Sequence, residues 1–297
     1  MNSYKRNMKV IVLFLLPALL IYAIFELVPI IQTVYFSFFD WNGIQGVPMK
    51  FVGFKNFISL FKYPQFIGSA KNILHLLVMS LLIQIPIAYL LAVILGSFCK
   101  GYRFFKAVFF SPLVLSVVAI GLVWYFILEP NNGVINSTLN ALGLSCLAKN
   151  WLFDRETAWN TLILVRSWFR IGFVMSIFFA AITGVPEDVL EAAKIDGVNK
   201  IQNLFKILIP MTWESVKICI IVVITEGLKT FDLVYVMTEG GPNGMTETPA
   251  TLMYSEAFKY DHFGRGSAIG IMILLSSVLI TVVVLRIMNG KKSREVV

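Results

Sequence analysis

Glu191-Ala192-Ala193-Lys194-Ile195-Asp196-Gly197, followed after nine residues by Ile207-Leu208-Ile209-Pro210, is a polar, helix-prone segment between two strongly apolar ones. Pro186 opens it, because proline is well tolerated in the first turn of a helix. Glu187 and Asp188 put carboxylates in that turn, where the helix dipole favours them. Val189, Leu190, Ala192 and Ala193 give the short helix one small apolar face. Gly197 stands at the turn, where a positive φ costs it little. A second helix over about Asn199–Ile207 is expected to stop before Pro210, which disfavours helix in the residue preceding it. Residues 184–212 thus read as helix, turn, helix standing off the apolar segments, with two alanines that let a partner surface come close. A compact, patterned loop of this kind points to something docking on it.

The rest of the chain sets the class. Its 297 residues are 58% hydrophobic and only 14% charged, with a mean hydropathy of +0.79; soluble domains run nearer about a quarter charged. The apolar residues come in blocks, and a helix needs roughly 20 of them to cross the hydrocarbon core. Six blocks qualify, at about Val10–Ile31, Asn72–Phe98, Phe105–Leu128, Thr161–Ile182, Val216–Met237 and Ser267–Met288. The expectation is an all-α membrane protein of six transmembrane helices forming a single transmembrane domain over residues 1–297. The first block follows Lys5, Arg6 and Lys9 but has no small-residue cleavage site, so it reads as a retained helix rather than a signal peptide.

Lys and Arg orient the helices. Lys5, Arg6, Lys9, Lys100, Arg103, Lys106, Lys194, Lys200, Lys206, Arg286, Lys291, Lys292 and Arg294 fall on one side, mostly in short segments. Lys50, Lys55, Lys62, Lys71, Lys149, Arg155, Lys259 and Arg265 are spread over much longer loops on the other. The denser side is expected to be cytoplasmic, with both termini and the 184–212 loop on it. This bias accounts for the net charge of +8 without nucleic acid as a partner. Among the outer loops, Gly53–Phe66 mixes Phe54, Phe57, Ile58, Phe61 and Phe66 with Lys55 and Lys62, a pattern suited to a helix at the lipid interface. Cys99, Cys146 and Cys219 fall inside, outside and within a span, so neither a disulfide nor a metal site is expected.

The spacing of Glu191, Ala192, Ala193, Gly197, Ile207 and Pro210 resembles the coupling motif of bacterial ABC importer permeases. Phe231-Asp232, Gly240-Gly241-Pro242, Phe38-Phe39-Asp40-Trp41 and Gly53-Phe54-Lys55-Asn56-Phe57 are similar to the carbohydrate branch, the maltose, lactose and glycerol-3-phosphate type. The likeness covers about residues 10–288. Val198 and Met211 depart from the usual alanine and leucine, and the very large outer domain of the maltose-type subunit is missing. The resemblance implies a subunit in a bacterial cell membrane that pairs with a second, different permease subunit. It also implies an ABC ATPase dimer docked on the loop through Glu191, Ala192, Ala193, Asp196, Gly197, Ile207 and Pro210. A binding protein would deliver sugar from outside. The chain has no G-x-x-x-x-G-K-[ST] loop, so ATP and Mg are expected on the ATPase partner, with no cofactor here. The loop at Gly240, Gly241 and Pro242 is expected to be outside and flexible, contacting the binding protein or guarding the outer mouth.

Charges inside the spans mark a candidate pathway, because ionisable groups in a membrane are costly and usually face the bundle interior. Arg166 and Arg170 lie in the fourth block; Glu226, Lys229 and Asp232 follow at i, i+3 and i+6 in the fifth, on about one face. Because the two spans run in opposite directions, one arginine is expected to pair with Glu226 or Asp232. Sugars present hydroxyls and apolar ring faces, so Trp168, Phe169, Phe173, Thr225, Lys229 and Tyr235 join the candidates. His75 and Gln84 read as satisfied packing residues, and Gly266 and Gly270 as a close-packing G-x-x-x-G.

Other functions fit less well. A secondary transporter would carry an inverted repeat and need no docking loop. An intramembrane enzyme would need a nucleophile with its base or an H-E-x-x-H set, and the two histidines, His75 and His262, lie on unrelated segments; no catalytic residue is expected. An ABC importer permease for polyamines, phosphate or sulfate is the nearer alternative.

Overall fold

The computed structural model describes residues 2–96 and 101–289. Phe98, Cys99, Lys100, Lys291, Lys292 and Arg294, which entered the span and charge readings, lie outside the described residues. Apart from one two-residue ladder, the described elements are helical. The chain divides into two compact bodies, Met1–Tyr63 with Met253–Met272, and Pro64–Leu252 with Ile273–Val297.

In the first body, α1 (Asn2–Tyr22) continues through a π turn (Ala23–Leu27) into α2 (Val28–Ser37). The apolar helix therefore runs past the expected end at Ile31 to Ser37. Pro29 does not stop it, because the wider turn closes with Val28 donating to the Ala23 carbonyl just before the proline, whose nitrogen has nothing to donate. Strands β1 (Phe39–Asp40) and β2 (Lys50–Phe51) pair antiparallel, Phe39 opposite Phe51. Helix α3 is only Lys55–Leu60, with Leu60 buried and Phe54, Ile58 and Phe61 exposed around it. The Asn56 amide donates to the Ser37 and Phe39 carbonyls at 2.9 Å each, pairing groups that the end of α2 leaves open. Glu256 is 1% exposed and accepts from Tyr63 Oη at 2.8 Å. It also holds His262 Nδ1 at 3.0 Å and Arg265 Nη1 at 3.3 Å. Gly264 and Gly266 allow close backbone approach: a Cβ on Gly264 would collide with the Phe39 carbonyl, and one on Gly266 would lie 2.7 Å from Ala257 Cβ.

The second body is built on α4 (Pro64–Gly96). At 33 residues it is about 50 Å long against a core of about 30 Å. It therefore starts well before the expected Asn72, taking in Phe66. Next come α5 (Tyr102–Val114), α6 (Val117–Ile127), α7 (Val134–Ala141), α8 (Ala158–Thr183), α9 (Glu187–Ile195), α10 (Lys200–Gln202), a π turn (Asn203–Leu208), α11 (Ile209–Met211), α12 (Trp213–Leu228) and α13 (Asp232–Thr238). α14 (Pro249–Tyr254) and α15 (Phe263–Asn289) each carry residues of both bodies. α8 and α12 pack on α4 around two cores, one centred on Leu76, Leu162, Ile163 and Met237, the other on Ala88, Met175, Phe178 and Cys219. Cys146 and Cys219 are free thiols, and no metal-binding cluster occurs among the described residues.

Four helices are long and apolar enough to cross a membrane, Val10–Ser37, Pro64–Gly96, Ala158–Thr183 and Phe263–Met288. Two further spans exist only as bent pairs, α5 with α6 at 97° and Lys200–Met211 with α12 at 76°. The third block is thus not one helix: Leu115 and Ser116 are extended between α5 and α6. Pro112 leaves the Val108 carbonyl without its helical donor, and Ser111 Oγ takes that carbonyl at 2.9 Å. The fifth block is also broken, after Leu228, and Lys229-Thr230-Phe231 separate α12 from α13.

Candidate functional sites: a docking loop and a charged pocket

The 184–212 segment begins with α9, preceded by Pro186 and carrying Glu187 and Asp188 in its first turn and Lys194 in its last. Its C-terminus closes as a Schellman turn: Val198 N–H reaches the Ala193 carbonyl at 3.0 Å, Gly197 N–H reaches that of Lys194 at 3.1 Å, and Gly197 has φ +73°. Asn199 then caps α10 in a reciprocal box, its side chain accepting from Gln202 N–H at 2.8 Å while Gln202 Oε1 accepts from Asn199 N–H at 3.1 Å. The second helix does not stop before Pro210. As at Pro29, a π turn precedes the proline, Ile209 donates to the Leu204 carbonyl, and helix continues to Met211 before the kink at Thr212.

Glu191, Ala192, Asp196, Gly197 and Pro210 are exposed, and Ile207 is half-buried. Ala193 is buried against its own chain, so one alanine rather than two faces outward. The sequence reading missed the apolar side chains that share this surface: Ile195 is 86% exposed, Ile201 70% and Phe205 63%. Their signal was three large apolar residues in a polar loop, off the face that packs inward.

A second site lies between α8 and the end of α12. A cavity of about 100 Å³ is lined by Arg166, Phe169, Arg170, Glu226, Lys229, Thr230, Phe231 and Asp232, among others. A smaller one beside it adds Gln84 and Phe173. Arg170 forms an ion pair with Glu226. Arg166 is 5% exposed; its Nε donates to Thr230 Oγ1 at 3.0 Å and its Nη1 to Ser80 Oγ at 3.1 Å. Gln84 donates to Ser167 Oγ at 3.4 Å.

Glu226, Lys229 and Asp232 do not share one helical face, because the helix ends at Leu228 and Asp232 opens a new one. They converge because the chain breaks at the cavity, where the Thr230 carbonyl, freed from the helix, accepts from Thr248 Oγ1 at 2.9 Å. Three candidates are not on the cavity wall. Trp168 is half-exposed on another face of α8, edge-on to Trp124. Thr225 spends its hydroxyl on the Ile221 and Val222 carbonyls of its own helix. Tyr235 stacks on Phe231 at 5.2 Å and 15°. Ser80 and Thr230, which hold Arg166, were missed; Ser80 is a lone hydroxyl in an apolar run, and Thr230 stands next to Lys229 in the charged stretch that ends at Asp232.

The Gly240-Gly241-Pro242 loop is tied down. Gly240 and Gly241 have φ of +90° and +71°, Thr246 N–H reaches the Gly240 carbonyl at 2.9 Å, and the Asn72 amide donates to the Met245 and Glu247 carbonyls at 3.0 and 2.9 Å. His75 and Asn72 line a cleft of about 570 Å³ with Asn243 and Gly244 of this loop and with Arg155, Glu156 and Trp159.

Known proteins share this sequence and architecture. The family described as binding-protein-dependent transport system inner membrane component matches residues 84–290. A probable ABC transporter permease, YurN, of Bacillus subtilis is 33% identical over 283 residues, covering 94% of this chain and 96% of its own. The diacetylchitobiose uptake system permease NgcF of Streptomyces coelicolor is 31% identical, covering 86% of this chain and 75% of its own. A chain of the bacterial alginate ABC transporter, crystallised in complex with an alginate pentasaccharide-bound periplasmic protein, superposes with a TM-score of 0.84 at 22% identity, covering 99% and 98% of the two chains. By the family match and the near full-length likeness to YurN, the chain belongs to the inner membrane components of binding-protein-dependent transport systems.

Proposed function

We propose that this chain is the membrane-spanning subunit of an ATP-driven importer that forms the pathway for a sugar or oligosaccharide. The observation that carries the coupling is the exposed helix-turn-helix at 184–212, rigidly closed at Gly197 and Asn199, which presents Ala192, Ile195, Ile201 and Phe205 beside Glu191 and Asp196. Large apolar groups on an otherwise polar loop have reason to stay exposed only where a partner covers them. That partner is an ABC ATPase dimer that binds the ATP and Mg. The whole chain, 1–297, acts as one permease domain in a bacterial cell membrane, with both termini and this loop in the cytoplasm. A second, different permease subunit completes the pathway, and an extracytoplasmic binding protein delivers solute to the side of Gly240, Gly241 and Pro242. ATP-driven closure of the ATPases moves the loop as a rigid body and exposes the pathway alternately to each side.

The solute class is supported by a relative that takes up diacetylchitobiose and by a structural neighbour that works with an alginate-loaded periplasmic protein. The test is to express this chain with its genomic neighbours, purify it in detergent and assay uptake in liposomes. An ATPase subunit should copurify, and labelled oligosaccharide uptake should require ATP and the binding protein. Transport by the chain alone, with no ATPase, would overturn the proposal in favour of a self-contained transporter.

A further inference from the structure

We infer that the pocket between α8 and the α12–α13 break receives the carboxylate of an acidic saccharide, and that Arg166 is the residue that binds it; this rests on the import function proposed above. Arg166 is 5% exposed on an apolar helix, and a guanidinium keeps its charge at any ordinary pH. Its partners are two neutral hydroxyls, on Thr230 and Ser80. They use two of the five N–H bonds a guanidinium carries. Among the described residues no carboxylate pairs with it. Glu226 is engaged by Arg170, one helical turn further along α8. On the cavity wall Arg166, Arg170 and Lys229 face only Glu226 and Asp232, which leaves one positive charge in excess.

A buried cation without a counter-ion is among the most unfavourable arrangements a membrane segment can hold, and such groups persist where an anion binds or passes. The guanidinium is also held in position. Ser80 reaches it from α4 and Thr230 from the helix break, and Thr230 is itself fixed by its hydroxyl on the Glu226 carbonyl at 3.3 Å and by Thr248 on its own carbonyl. The space fits the fragment and not the whole ligand: about 100 Å³ is room for about three waters, enough for a carboxylate and the carbon that bears it. A neutral sugar would leave the guanidinium unpaired, whereas one carboxylate cancels the excess charge.

The assembled importer in nanodiscs, without binding protein, is titrated with a labelled triuronide and with its uncharged methyl ester. The wild type should bind the acid at least tenfold more tightly than the ester. Arg166→Gln should abolish that preference, and Arg166→Lys should restore part of it. Equal wild-type affinity for the two probes overturns the inference, as does an Arg166→Gln variant that weakens both equally, which would make the arginine structural. Should Arg166→Gln fail to assemble, the wild-type preference and Arg166→Lys decide. Rescue of Arg166→Gln by neutralising a carboxylate of the second permease subunit would assign the anion to that subunit and overturn the inference. Uptake of neutral but not acidic saccharide by the complete system refutes the acidic substrate and leaves the importer standing; uptake of neither refutes both.

Discussion

Gly197 offers the sharpest test of the docking loop. Its φ of +73° lies in the left-handed region, and no atom stands within 4 Å of a Cβ built on it. A side chain there meets no steric obstacle, so the cost of substitution is the conformational one alone. For an ordinary L-residue that is roughly 1–2 kcal/mol. Relaxing to negative φ would break the two hydrogen bonds from Val198 and Gly197 to the end of α9 and swing α10 away. The same 1–2 kcal/mol corresponds to a factor of about 5 to 30 in affinity. Gly197→Val should therefore weaken binding of the ATPase subunit to the detergent-purified permease by about that factor. Gly197→Asn, which accepts the left-handed conformation far better, should stay within about threefold. Titration of labelled ATPase by fluorescence anisotropy reads both, and ATP-driven uptake should follow the same order. Wild-type affinity in Gly197→Val, or equal damage from valine and asparagine, would refute the argument that the turn geometry positions the docking surface.

Three further outcomes are expected. Reversing Arg170 to Glu, or Glu226 to Arg, sets like charges against each other and should cut uptake by about tenfold or more; the double reversal should recover most of it, and a double variant as poor as either single would show that the two do not act as a pair. Glu256→Ala takes the shared acceptor from Tyr63, His262 and Arg265 and should cost about 3 kcal/mol, read as a lower unfolding temperature by the fluorescence of Trp41, which lies in the same body. Glu129 accepts from the backbone N–H groups of Asn132 and Asn131, and the first of these chiefly holds its carboxyl below the ordinary value of 4.5. With a depressed folded value, the loop it closes is fully supported above about pH 4.5 and loosens as pH falls through the lower folded value, so limited proteolysis near Asn131 should accelerate there in the wild type and show no such step in Glu129→Gln.

What could be read from the sequence was what depends on neighbours along the chain. The α9 helix and its turn follow from Pro186, two acidic residues and a glycine within a dozen positions, and they stand where those residues put them. The fourth span was legible to within a few residues because its apolar run has no proline and no glycine pair. The third and fifth were not, because hydropathy reports composition and is blind to where a backbone hydrogen bond fails. Pro112 was visible, but that Ser111 would take the orphaned carbonyl and the chain then extend at Leu115 was not. Arg166 was flagged as costly, yet its partner Ser80 lies 86 positions away. The expected carboxylate pairing fell to Arg170, one turn further along. Pro210 misled because it follows a π turn that lets the helix continue, as happens also at Pro29.

The two broken spans obey different physics from a loop in water. In hydrocarbon an unpaired carbonyl or N–H costs several kcal/mol, so non-helical backbone survives only where protein covers it or where it lines a cavity. The α12–α13 break meets both conditions: Thr230 is 8% exposed, its carbonyl is taken by Thr248, and its flanking residues Lys229, Phe231 and Asp232 line the charged pocket. Had the helix run unbroken from Val216 to Met237, Asp232 would have stood nearly two turns beyond Glu226 on the same rod, and Thr230 would have spent its carbonyl within the helix. The break turns the chain so that Lys229, Thr230 and Asp232 all front one space with Arg166. The disruption that hydropathy could not detect is therefore what assembles the polar site, and restoring ordinary helix there would remove it. Thr248→Val, which withdraws the hydroxyl from the Thr230 carbonyl at nearly constant volume, should accordingly impair uptake while leaving ATPase docking at the distant Gly197 turn intact; loss of both together would mean that the break serves folding alone.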